Sequence, residues 1–135
     1  MRQFDDREEA ASDGIILGSP VYFSNVTAET KALIDRTGRV VRANDYMLKG
    51  KVGAAVVAVR RAGSLPTFDA INHFFLVEQM IIPGSTYWNL GMGKEPGQVL
   101  NDEEGMENLR NLGENMSNLV RALCQNSDNL TDSNP

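Results

Sequence analysis

Eight consecutive positions, Val52-Gly53-Ala54-Ala55-Val56-Val57-Ala58-Val59, carry no polar side chain. A half-buried strand alternates apolar and polar residues, whereas an unbroken apolar run of strand length suits a parallel strand covered by helices on both faces. Parallel neighbours are joined only through a crossover, most often a helix. The run, read from Lys51 to Val59, therefore predicts a central strand in an α/β layering. Gly14-Ile15-Ile16-Leu17-Gly18 is a shorter run of the same kind, ended by Ser19-Pro20. Met80-Ile81-Ile82 reads as a third strand, placed at the periphery because Pro83 removes a ladder donor immediately after it.

Helical spacing fills the intervals. A helix starts near Asn25 or Thr27, with Glu29 in its positive first turn and a stripe of Val26, Thr30, Leu33 and Thr37. Lys31 and Asp35 can pair at i,i+4, and Gly38 is read as the left-handed stop. A second helix follows Arg60-Arg61-Ala62-Gly63, with Ser64 as cap, Pro66 in the first turn, and Phe68, Ile71, Phe74, Phe75 and Val77 facing inward. The last helix is capped by Asn101 or Asp102 and repeats Met106, Leu109, Leu112, Met116, Leu119 and Leu123. Asp5 to Ala11 reads as a short acidic helix, and Pro83 to Leu100 as a long loop, whose length hints at function. One domain is expected over residues 1–125, with a disordered Ser, Asn and Asp-rich tail over 126–135.

Composition removes several classes of function. The 13 Lys and Arg against 18 Asp and Glu give a net charge of -5 with no basic patch, so nucleic acid is not an expected partner. No apolar run reaches the roughly 20 residues of a membrane span, and the N-terminus is too acidic for a signal peptide, which predicts a cytoplasmic protein without a membrane partner. A single cysteine, Cys124, and a single histidine, His73, exclude an internal disulfide or a four-ligand metal site. His73 reads as a partly buried structural residue and Cys124 as a small packing residue.

Ligands of parallel sheets bind outside the carboxyl ends of the strands. Two loops leave those ends. Ser19-Pro20-Val21-Tyr22-Phe23-Ser24-Asn25 combines a rigid start, adjacent aromatics and a helix N-terminus, a set that suits a flat heteroaromatic ring with carbonyl oxygens. Tyr22 and Phe23 serve equally well to close the end of the sheet, and composition does not choose between these. Arg60 to Ser64 forms the second loop. Tyr87 and Trp88, in the long loop, suit either a flat ring bound by a neighbouring subunit or an oligomer interface.

The segment from Gly14 to Thr27, continued by Lys31-Ala32-Leu33-Ile34-Asp35-Arg36, resembles the signature of the NADPH-dependent FMN reductase and iron-sulfur flavoprotein family. Similarity continues through Arg60-Arg61-Ala62-Gly63 and Met80-Ile81-Ile82-Pro83-Gly84. The resemblance implies a flavodoxin-like three-layer α/β/α parallel sheet, FMN over the carboxyl ends of the strands, NAD(P)H as electron donor, and a homodimer or homotetramer. Ser19, Pro20, Val21, Tyr22, Phe23 and Asn25 would surround the isoalloxazine, with Arg61, Ala62 and Gly63 on its other side. Hydride would pass from nicotinamide to flavin without a catalytic acid-base residue, then on to an unidentified acceptor. The competing expectation is a flavodoxin-like electron carrier or a non-catalytic assembly module. The family's first strands and its Ser, Thr, Gly and Asn-rich phosphate loop have no counterpart before Ser12. The chain is therefore expected to lack those elements and to be impaired in FMN binding.

Overall fold

The computed structural model describes residues 12–131, with side chains to residue 125. The expected helix from Asp5 to Ala11 lies outside the described residues. Three parallel strands, β1 (Gly14–Pro20), β2 (Val52–Val59) and β3 (Leu90–Met92), stand in the order β1-β2-β3. Three helices accompany them: α1 (Ala28–Ala43), α2 (Ser64–Val77) and α3 (Glu103–Thr131). The apolar run is the middle strand, and its register joins Gly14 to Val52 through Pro20 to Ala58.

Alternation along the strands sorts the helices into two outer layers. A Cβ on Gly53 would meet the Phe75 ring of α2 at 2.8 Å, so this side of β2 faces α2. The paired positions Ile15, Leu17 and Ala55 share that face, and Leu17 and Ala55 build the core with Val41 of α1 and Ile71, Phe74 and Phe75 of α2. A Cβ on Gly14, opposite Val52, would instead meet Met116 and Val120 of α3. Thus α1 and α2 cover one face and α3 the other, the three-layer α/β/α arrangement expected from unalternated strands.

The third lane differs from the sequence reading. Met80-Ile81-Ile82 contributes only a bridge, in which Ile81 N donates to Lys51 O at 2.9 Å and Gly53 N donates to Ile81 O at 2.9 Å. The next parallel ladder donor would be the N–H of residue 83, and Pro83 has none. The chain leaves the sheet there. It re-enters at Leu90, paired with Val57. Between the pairs Val52–Ile81 and Val57–Leu90, β2 advances five residues while the third lane advances nine, so the excursion adds four residues. The strand proper is therefore Leu90–Met92, inside the stretch read as loop, and it is peripheral.

Helix limits also shift. Gly38 is no stop: α1 passes through it and ends at Asn44, whose N–H and side-chain Nδ2 donate to Val40 O at 3.1 and 2.8 Å. Asp45 and Tyr46 then take positive φ of 53° and 56°. The α1 cap is Thr27, whose Oγ1 accepts from Thr30 N at 3.2 Å, and the Lys31–Asp35 pair forms at 2.5 Å. α2 is capped by Gly63, with Ser64 its first helical residue, and Val77 is exposed rather than inward. His73 is likewise exposed. Asp102 caps α3 through Gly105 N at 3.0 Å while its other oxygen accepts from Met92 N at 2.7 Å, tying the helix to β3. α3 continues to Thr131, past Asn126 where the tail was expected to begin; residues 132–135 lie outside the described residues. None of the described helices is long and apolar enough to cross a membrane.

Candidate functional site

The carboxyl ends of β1 and β2 release two loops that the structure brings into contact. Val21 N extends the ladder by donating to Ala58 O at 3.0 Å, and the chain then reverses in a tight turn in which Tyr22 N and Asn25 N exchange bonds with each other's carbonyls at 3.0 and 3.1 Å. The central residues Phe23 and Ser24 have φ of 51° and 59°. Both are in the left-handed region, the backbone of a type I′ turn that normally takes Asn or Gly. Non-glycine residues held this way carry about 1–3 kcal/mol of strain each. The consequence is positional: Phe23 stands fully exposed and Tyr22 mostly so.

Gly63 closes the second loop against the first. A Cβ there would lie 2.7 Å from Ser24 Oγ, 3.0 Å from Ser24 Cα and 3.1 Å from Val21 Cγ1. Its φ of 86° is a second reason for glycine. Arg60, Arg61 and Ala62 are exposed beside it. Gly63 caps α2 with no side-chain cap bond, so positive backbone potential at the start of α2 is joined by two cationic side chains.

The predicted residues separate into two kinds. Ser19 is buried, donates to Pro20 O at 2.8 Å and accepts from Thr27 N at 3.1 Å, so its hydroxyl fixes the loop from within. Asn25 Oδ1 accepts from Val26 N at 2.8 Å. These bonds, with the Thr27–Thr30 cap, occupy N–H groups at the start of α1 that the sequence reading offers to a ligand. Pro20, Tyr22, Phe23, Arg61 and Ala62 are exposed, and Val21 and Gly63 line the contact between the loops.

Two features of this end of the sheet were not assigned residue by residue. Ser24, inside the first loop, is the residue on which Gly63 packs. A third loop, Gly93 to Gln98, leaves the carboxyl end of β3 beside the second, with Gly93 N donating to Val59 O at 3.0 Å. Lys94 N and Glu95 N both donate to Gln98 Oε1, at 2.8 and 3.0 Å. The glycines at 91, 93 and 97 were its signal, but Leu90–Met92 is too short a run to announce a strand.

Residues 7–95 match the model of the family described as NADPH-dependent FMN reductase. The chain is 43% identical to an iron-sulfur flavoprotein of Methanocaldococcus jannaschii over 83% of its own length and 61% of that protein's. It is 31% identical to an iron-sulfur flavoprotein of Methanosarcina thermophila, over 92% of this chain and 67% of that one. The chain thus spans roughly three fifths to two thirds of the length of these curated relatives. Among solved structures, a flavodoxin, WrbA-like protein of Agrobacterium tumefaciens superposes with a TM-score of 0.71 at 17% identity, over 86% of this chain and 71% of that one. That likeness establishes a flavodoxin-like fold.

Proposed function

The chain belongs to the NADPH-dependent FMN reductase family, and on that premise we propose that it is a flavin-binding oxidoreductase that takes electrons from NADH or NADPH onto FMN held at the carboxyl ends of β1 and β2. The observation that carries the reading is the contact between the two loops. Gly63 seats against Ser24 and Val21, and that contact fixes the exposed Tyr22–Phe23 pair beside the start of α2.

The residues fit such a group. Aromatic and apolar side chains, Tyr22, Phe23 and Val21, give cover for a flat ring. The N-terminus of α2 with Arg60 and Arg61 gives positive potential on the opposite side, which favours oxygen atoms that gain electron density. When bound, FMN supplies a ring that accepts a hydride from a nicotinamide and passes electrons to an acceptor. The chain's own residues position and shield: Ser19, Asn25 and Thr27 hold the first loop rigid by internal bonds, and Tyr22 and Phe23 exclude water from whatever lies against them. No side chain is asked to move a proton.

Assembly as a homodimer or homotetramer belongs to the same reading. Among the described residues β1 pairs on one side only, and Ile16 at its centre is 54% exposed, a surface that another strand or copy would cover.

The test is anaerobic titration of the purified chain with FMN, followed by addition of NADH or NADPH. Bleaching of the flavin absorbance by the nucleotide is expected, with weaker flavin retention in Phe23→Ala. Flavin that binds but is bleached only by a chemical reductant would reject the nicotinamide reaction. Flavin retention unaffected by Phe23→Ala would move the ring elsewhere.

A further inference from the structure

We propose that Arg60 and Arg61 hold the reduced flavin as an anion, so that the chain binds it more tightly than oxidised flavin and keeps it for an acceptor that comes to the protein. The inference rests on the reading of the strand ends as the flavin site.

A hydride carries two electrons and one proton. Its transfer converts NAD(P)H to NAD(P)+ and FMN to FMNH−, and the ring is left with one negative charge. Either a second proton removes that charge or fixed cations hold it. The strand ends are poor in proton donors. Residues 19–25 and 60–64 contain no Asp, Glu, His, Cys or Lys, and Tyr22 is their only titratable group besides the two arginines. On the third loop, Lys94 and Glu95 are exposed and pair with each other at 3.3 Å. Asp102 is engaged by Met92 N and Gly105 N.

Cations, by contrast, are present and uncommitted. Arg60 and Arg61 directly follow Val59, the last residue of β2, and both are exposed. Among the described residues neither makes an ion pair or a side-chain hydrogen bond, whereas Lys31, Arg42 and Arg110 lie against Asp35, Glu78 and Glu107. The first turn of α2, which starts just beyond them, has no acidic residue, while α1 has Glu29 and α3 has Glu103 and Glu104. Positive potential is thus left uncompensated here on a chain of net charge -5. A cation close to a titrating group favours its charged form, and a guanidinium does not give up its own proton. The reduced ring therefore keeps its negative charge and is bound more strongly, and the neutral oxidised ring gains nothing comparable.

The test is anaerobic titration of the chain with oxidised and with chemically reduced FMN, with riboflavin in parallel. Potentiometry of the bound flavin follows, across the pH range in which free flavin changes its proton uptake. Reduced flavin is expected to bind roughly 10-fold more tightly, as one charge-assisted hydrogen bond gives, which places the bound potential about 30 mV above that of free flavin. Riboflavin should show the same ratio, because the charge is on the ring. For each tenfold change in proton activity the bound potential should move by about 30 mV, one proton for two electrons, at acidities where free flavin moves twice as far. Arg60→Gln/Arg61→Gln should return both ratio and slope to those of free flavin, and Arg60→Lys/Arg61→Lys should keep them. Equal or weaker binding of reduced flavin, the slope of free flavin, a preference seen with FMN and not with riboflavin, or values unmoved in the folded Gln variant would each overturn the inference and leave the flavin site standing. Absence of saturable binding of either flavin would sink that site and the inference with it. The comparison of redox states on the native chain stands without any variant.

Discussion

Phe23 and Gly63 lie on the two loops in contact and both take positive φ, but only the glycine suits that backbone. Phe23, at φ 51°, is a bulky residue in the left-handed region without any burial to offset the strain. Phe23→Gly should raise stability by about 0.5–1 kcal/mol, the relief of the left-handed penalty less the entropy of a freer unfolded chain, while lowering flavin affinity. Urea denaturation and flavin titration on the same variant read the two effects, and a loss of stability would show that the Phe23 ring packs on the fold. Gly63→Ala should do the reverse, costing about 1–3 kcal/mol through its positive φ, because a Cβ would also enter the space of Ser24 Oγ; an unchanged denaturation midpoint would contradict the contact. At this scale the sequence was informative about residue types and about bonds between near neighbours on a helix, but not about those made by the turn. Tyr22, Phe23 and Gly63 could be singled out, but the internal use of Ser19 and Asn25 depends on a turn whose left-handed residues, Phe and Ser, give no turn signal in the sequence.

Helices and strands were legible where period and caps agreed. β2 fell on the apolar run, Thr27 rather than Asn25 and Asp102 rather than Asn101 proved to be the caps among the candidates, and Lys31 found Asp35. Glycine misled at Gly38, because its role depends on what lies opposite rather than on its neighbours in the chain. A Cβ there would meet Glu78 Oε1 at 3.5 Å and a Phe74 ring carbon at 3.7 Å, ordinary contacts. Gly38→Ala should therefore stabilise the protein by about 0.5–1 kcal/mol, the propensity gain of an interior helical position. Gly53→Ala, whose Cβ would lie 2.8 Å from Phe75, should cost about 1–3 kcal/mol by overpacking the strand against α2. Thermal unfolding of the pair measures both signs, and two variants moving in the same direction would reject this assignment of the glycines. The third lane was misread for a physical reason as well: Met80–Ile82 looks like a strand, yet the missing N–H of Pro83 interrupts the ladder after one bridge. Tyr87 N donates to Asn108 Oδ1 at 2.7 Å. Asn108→Ala should cost about 1–3 kcal/mol by leaving Tyr87 N unpaired, and hydrogen exchange should speed up over 84–89 first. Faster exchange confined to β1 instead would disconnect Asn108 from the excursion.

Across the whole molecule, the layering was the most legible property, because an unalternated strand permits few arrangements. The distribution of anion-binding groups was the least, since it depends on which backbone donors are already used. At the start of α1, Val26 N, Thr27 N and Thr30 N are bonded to Asn25, Ser19 and Thr27 side chains. The start of α2 has no side-chain cap bond, but in the proposed function it faces the ring. The described residues therefore offer the ring more than they offer a phosphate. A polypeptide of these 135 residues is expected to bind riboflavin and FMN with nearly equal affinity, because the two differ only in the phosphate. A phosphate held by charge-assisted hydrogen bonds would favour FMN by about 10-fold or more, from the 1.5–3 kcal/mol typical of such bonds. Parallel titrations of the two flavins at low and high salt decide the matter. A marked FMN preference that falls with salt and disappears in Arg60→Gln/Arg61→Gln would refute equal binding and place the phosphate on those arginines; the same preference surviving in that variant would refute it too, and assign the phosphate to donors elsewhere in the chain.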